Sequence, residues 1–208
     1  AGNTGTQMFG WFNKEINSLD DIKGLKMRIP GIGGEVLKEA GGIPVTLPGG
    51  ELYTALQTGV IDATEWVGPY NDLAFGFQQI AKYYYFPGWH EPGSMLEFII
   101  NLDAWNELPT HLQSIVKTAA KAVNQDLLDE YTAMNNQALR ELIDVHNVQL
   151  KKLPDDVINE FRVISKSVLD EIAENDNQFK SIYESYLKFK SEVVSYHEIS
   201  EDAYTKIR

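Results

Sequence analysis

Beyond Pro109, apolar side chains return every three or four positions without a break: Leu112, Ile115, Val116, Ala119, Val123, Leu127, Tyr131, Met134, Ala138, Leu142 and Ile143. That spacing predicts a single amphipathic α-helix. At 1.5 Å of rise per residue it would be roughly 50 Å long, more than the diameter of one compact lobe. A helix of that length must bridge two lobes or lie along a partner.

Upstream of it the chain alternates short helical and extended signals. Ser18 can cap a short helix to Lys23, Gly24 can end it in the left-handed conformation, and Leu25-Lys26-Met27-Arg28-Ile29 alternates as a strand before Pro30. Residues 33–40 read as a helix stopped by Gly41 and Gly42, residues 43–47 as a strand, residues 50–58 as a helix stopped by Gly59, and residues 60–66 as the next strand. Repeated βα units with glycine turns predict a parallel or mixed sheet flanked by helices. A helix over 71–82, the aromatic segment Tyr83-Tyr84-Tyr85-Phe86, a turn from Pro87 to Gly93 and an apolar strand over 95–101 follow. After the long helix, residues 148–153 can form a strand, and Pro154 opens a helix with Asp155 and Asp156 in its first turn. A last helix over 178–197 carries the apolar stripe Phe179, Ile182, Tyr183, Tyr186, Leu187, Val193 and Val194, read first as packing surface.

With 208 residues, 43% of them apolar, the chain can bury a sizeable core in one or two lobes. Its formal charge of −12 and scattered basic residues argue against nucleic acid as a partner. The absence of cysteine excludes disulfides, thiolate zinc sites and thiol nucleophiles, and fits an oxidising compartment such as the periplasm. No stretch approaches the roughly 20 apolar residues that span a bilayer. Residues 1–12 read as the interior of a domain, so a leader and further folded chain are expected upstream.

Arg28 ends a strand just before Pro30 and a glycine-rich turn. Ligands of open α/β sheets gather beyond the carboxyl ends of strands, where a guanidinium can receive a carboxylate through two parallel hydrogen bonds. Taken alone, the residue fits better as a solvated arginine paired to a neighbouring acid. Glu65 and Trp66 end a later strand in an equivalent position. Two readings stand side by side for them: a partly buried acid that needs a cation or donor, or an exposed strand-end glutamate beside a core tryptophan. The run Gly31-Ile32-Gly33-Gly34-Glu35-Val36 lacks the third glycine of a dinucleotide-binding turn and reads as a plain turn. His90, His111, His146 and His197 show no paired helical spacing, and there is no HExxH, P-loop or GxSxG elbow, so no catalytic residue is assigned.

The segments GLKMRIPG, GGIPVTLPGGELYTALQTGVIDATEWVGPY and AKYYYFPGWHEPG, in that order, closely resemble the substrate-binding subunit of tripartite ATP-independent periplasmic (TRAP) transporters, the DctP-like family, and within it the branch that binds 2-oxo acids. The likeness covers about residues 1–150; the tail matches mainly in being helical.

The resemblance implies an α/β fold of the periplasmic binding protein type II kind, with two lobes, a long bridging helix and a helical C-terminus. Mapped onto this chain, residues 1–108 form most of one ligand-binding lobe, 109–147 the bridging helix, and 148–208 a strand and helices that pack across lobes or on a partner. It implies a periplasmic receptor, not an enzyme, that hands a small monocarboxylate such as pyruvate to integral membrane subunits. Arg28 would pair with the ligand carboxylate, which reverses the reading from residue type alone. Glu65 and Trp66 would line the pocket. A cation, sodium or alternatively calcium, would be held by the Gln7 side chain, the Glu65 carboxylate, the Trp66 carbonyl and Glu91, and no catalytic cofactor is implied. Oxygen donors suit such hard ions. Family members begin with a further βαβ region that contributes to the pocket, and this chain starts after it. Some relatives pair by exchanging a C-terminal helix, so a homodimer through residues 179–194 is the partner expectation. The rival classes are a helical dimerisation or sensory ligand-binding module and, less favoured, an enzyme.

Overall fold

The computed structural model describes all 208 residues. It divides into two compact units, Ala1–Arg162 and Val163–Arg208.

The first unit is built on a six-stranded mixed sheet. Its strands are β2 (Gly10–Phe12), β3 (Lys26–Arg28), β4 (Ile43–Val45), β5 (Ala63–Thr64), β6 (Tyr83–Phe86) and β8 (Gln149–Lys152), in spatial order β4-β3-β5-β2-β6-β8. A separate two-stranded ribbon pairs β1 (Gly2–Asn3) with β7 (Met95–Leu96). Strands β3, β4 and β5 run parallel, β2 runs against both β5 and β6, and β6 and β8 are parallel to each other. The mixed sheet expected from the glycine-punctuated βα units is therefore present, with helices α1 (Gly31–Glu39) and α2 (Leu52–Gln57) as its first crossovers.

Aromatic residues fill both faces of the middle strands. Trp11 and Tyr84 lie opposite each other in register and stack at 4.2 Å, on the face that also holds Leu52, Leu56, Phe77 and Leu142. On the other face Phe12 meets Tyr85 at 4.9 Å, and Phe9 meets Phe161 at 6.2 Å. Such alternation is what a strand buried on both sides requires.

The long helix is continuous: α5 spans Thr110–Asp144, 35 residues. Only Tyr131, Ala138 and Leu142 are buried along it, whereas Leu112, Ile115 and Val123 of the same stripe are exposed. It is tied to the start of α3 (Pro69–Phe75), where the Asn135 side chain accepts the Tyr70 N–H at 3.0 Å. A short helix, α4 (Leu102–Glu107), precedes it, with Asn101 accepting the Ala104 N–H as N-cap.

Two expectations need correction. The helix foreseen over 71–82 is broken: α3 ends at Gly76, which is left-handed at φ 86°, and a 3₁₀ turn over Phe77–Gln79 follows. The apolar strand foreseen over 95–101 is reduced to β7, because β1 offers only two residues to pair with, and residues 97–100 are exposed.

The second unit holds the end of α6 (Asp155–Asn175), then α7 (Asn177–Ile199) and α8 (Glu201–Ile207). Asp176 caps α7 by accepting the N–H groups of Gln178 and Phe179 at 2.8 and 2.9 Å. No helix is long and apolar enough to cross a membrane.

Candidate functional site

The topology brings four chain segments to one end of the sheet. Because β3 and β5 are parallel, Arg28 and Glu65 leave it at the same end, and the Glu65 N–H donates to the Arg28 carbonyl at 3.2 Å. Strand β2 runs the other way, so its entry, residues 7–10, meets their exits. Strand β6 is antiparallel to β2 and therefore delivers the 87–94 turn to the same place. Two glycines permit the approach. Gly10 sits at φ +128°, where a Cβ would lie 2.2 Å from the Thr64 carbonyl oxygen; a Cβ on Gly88 would lie 2.4 Å from that of Gln7.

Glu65 is 2% exposed, so the buried reading of that residue holds. Its Oε1 accepts a charge-assisted hydrogen bond from the Arg28 Nη1. Arg28 is half-buried, donates from Nε to the Leu47 carbonyl at 3.4 Å, and has its Cζ 5.7 Å from the centre of the Trp66 ring. Trp66 is itself fixed, its ring 5.0 Å from Phe75 and closely covered by Gly49. Arg28, Glu65 and Trp66 thus form one cluster.

Glu91 joins it. One ligand-type atom each from Glu65, His90 and Glu91 lie within 4.8 Å of one another. Glu91 accepts the Ser94 hydroxyl, and Ser94 Oγ in turn accepts the Gln7 amide at 3.0 Å. Gln7 is 4% exposed, and the same amide also donates to Thr4 Oγ1 at 3.1 Å. Its Oε1 is buried without a donor. Gln7 is linked to the carboxylates through Ser94 and Glu91.

The donor chemistry fits a cation. Two carboxylates, that of Glu65 buried and that of Glu91 partly so, together with an amide oxygen that lacks a donor, form an oxygen-rich set of the kind that suits a hard cation.

The sequence reading missed two residues. His90 has no paired histidine to mark it, but it adjoins the candidate Glu91 in the same turn, and that adjacency is the available signal. Asp72 is 1% exposed and accepts Trp11 Nε1 at 2.9 Å, the Tyr84 hydroxyl at 2.7 Å and the Val67 N–H at 3.1 Å. It anchors the segment just after Trp66. Burial pushes its carboxyl up to about 6, against the pull of those donors. A cleft of about 300 Å³ lined by Asn13, Gln78 and His146 lies at the opposite end of the sheet and contains no buried charge.

Comparison with known proteins agrees with this architecture. Residues 1–176 match the family model described as DctP, bacterial extracellular solute-binding protein, family 7. A monocarboxylate 2-oxoacid-binding periplasmic protein from Nostoc is 44% identical over 204 residues, which is 98% of this chain and 56% of that protein. A TRAP periplasmic solute binding protein from Pseudoalteromonas atlantica, solved with bound sodium and pyruvate, superposes with a TM-score of 0.95 at 42% identity, over 100% of this chain and 63% of that one. Another from Colwellia psychrerythraea, with bound calcium and pyruvate, gives 0.94 at 45% identity, over 99% and 62%. The chain spans about three-fifths of the length of these relatives. With a family match over most of its length and the sheet-end cluster in place, the chain belongs to the DctP family of bacterial extracellular solute-binding proteins.

Proposed function

We propose that this protein is a periplasmic receptor that captures a small 2-oxo monocarboxylate such as pyruvate, together with sodium or calcium, and presents it to the integral membrane subunits of a TRAP transporter. The observation that carries this reading is the half-buried Arg28 clustered with the buried Glu65 and with Glu91 at the exit of parallel strands. The names of the similar proteins from Nostoc, Pseudoalteromonas and Colwellia support the ligand class and the cation.

Arg28 is the ligand-binding group, its guanidinium matching a carboxylate through two parallel hydrogen bonds. Leu47 and Trp66 hold it in orientation. Glu65, Glu91, the Gln7 Oε1 and the Trp66 carbonyl are the oxygen donors that would hold the cation. When bound, the ion offsets the acidic charge and attracts the carboxylate and 2-oxo oxygens of the ligand. Nothing in this scheme breaks a bond: no acid–base pair is assigned, and the ligand should be recovered chemically unaltered after long incubation.

Titration calorimetry with pyruvate in the presence of calcium tests the assignment. Arg28→Ala should weaken binding by on the order of 3–5 kcal/mol, since it strands a carboxylate among buried acids. Unchanged affinity would refute the role of Arg28.

A second property is favoured by the last helices. Ile182 and Phe189 of α7 are each 63% exposed, and Tyr186, Leu187 and Val194 are exposed beside them. Exposed apolar side chains gathered on one helix support a homodimer through α7.

A further inference from the structure

The turn after β6 carries a side chain to which the reading above gives no role. His90 keeps only 4% of its side chain exposed, and neither ring nitrogen has a hydrogen-bond partner. An imidazole always carries at least one N–H, and burying a donor unpaired costs about 1–3 kcal/mol. The ring is held in place by edge contacts with Phe9 at 5.8 Å and Trp89 at 5.6 Å. Its Cβ lies against Gly33, where any added Cβ would come within 3.3 Å.

Nε2 points at the acids. It is 3.6 Å from Glu65 Oε2, beyond hydrogen-bond range, and it belongs to the three-residue cluster with Glu91. Two atoms bound to one cation at about 2.0–2.3 Å stand roughly 3–4 Å apart in tetrahedral or octahedral geometry. His90 Nε2 and Glu65 Oε2 already have that separation, and a Glu91 oxygen lies within 4.8 Å of a ligand atom of each. A histidine packed in the core ordinarily pairs at least one ring nitrogen with a carbonyl, a hydroxyl or an ordered water.

We propose that His90 Nε2 is a protein ligand of the cation site, beside Glu65 and Glu91, and that the site accordingly accepts a borderline divalent transition ion such as Zn²⁺ as well as hard ions. This rests on the reading that those carboxylates hold a cation. An imidazole nitrogen contributes strongly to zinc, nickel or copper and little to calcium, which prefers oxygen. His90 is thereby a determinant of which metal the receptor carries.

The test uses a background in which the exposed His111, His146 and His197 are each changed to Gln, leaving His90 as the sole imidazole. Zn²⁺ and Ca²⁺ are titrated by calorimetry, and a Cu²⁺-loaded sample is examined by pulsed electron paramagnetic resonance. One Zn²⁺ should bind per chain, and the Cu²⁺ spectrum should show modulation from the remote nitrogen of a single imidazole. Adding His90→Gln should weaken Zn²⁺ about tenfold or more and Ca²⁺ less than about twofold, with the circular dichroism unchanged. A Cu²⁺ spectrum without imidazole modulation overturns the proposal and needs no substitution at the site. So does equal weakening of both metals by His90→Gln, which marks a structural role. In either case retained Ca²⁺ binding in the background protein leaves the carboxylate site standing, whereas failure of that protein to bind either ion overturns both.

Discussion

The Asp72 carboxylate accepts three donors beneath the site, two of them from the buried aromatic pair Trp11 and Tyr84. Asp72→Ala would orphan all three at once, and thermal unfolding should show a loss of about 3 kcal/mol or more. The carboxyl is also a source of pH dependence. Its folded value of about 6 lies above the ordinary 3.8, so folding favours the protonated form. That contribution is fully present below about pH 4 and is lost as pH rises through about 6, on the order of 3 kcal/mol across the window. Urea midpoints from pH 4 to 7 should fall more steeply for the wild type than for Asp72→Asn; parallel profiles would contradict the assignment. That Arg28, Glu65 and Trp66 end strands on the same side of the sheet was legible in the sequence, because parallel strands carry their carboxyl ends to one side. The pairing of Arg28 with a buried Glu65 was not, since residue type alone favours a solvated arginine. Nor were His90 and Asp72, since their significance depends on which distant segments arrive beside them.

At the scale of elements, the site depends on close backbone approaches that a side chain would prevent. Gly10 opens β2 with a positive φ and with the Thr64 carbonyl where a Cβ would go. Gly10→Ala should therefore cost several kcal/mol in urea unfolding, well above the roughly 1 kcal/mol typical of a point change. If the variant retains stability, the added Cβ should still displace β5 and weaken carboxylate binding; full stability with native affinity would count against the tight approach. Helices α5 and α7 could be read from periodicity because one stripe runs unbroken through each. Strand β2 escaped notice because Gly10-Trp11-Phe12, buried throughout, shows no alternation of apolar and polar residues. The break at Gly76 was hidden by the periodic residues on either side of it.

For the molecule as a whole, the formal charge of −12 and the uncovered stripe of α7 pull in different directions. Like charge keeps copies apart, while exposed Ile182 and Phe189 favour association. We expect the apolar term to win at moderate salt, where surface repulsion is screened within about 8–10 Å. Light scattering should then report a dimer that the double change Ile182→Lys and Phe189→Lys returns to a monomer; a wild-type monomer at tens of micromolar would remove the dimer from consideration.

The strand order has a consequence for how the chain reaches this state. Strand β2 lies between β5 and β6 and is made before either, and β8 reaches the edge only after the 35 residues of α5. Few of the sheet's pairings are local, so closure waits for distant partners and is slow. During synthesis the sheet therefore cannot be completed until its own later strands emerge, and an incomplete sheet is the condition in which a chain can still be threaded through a narrow translocation pore.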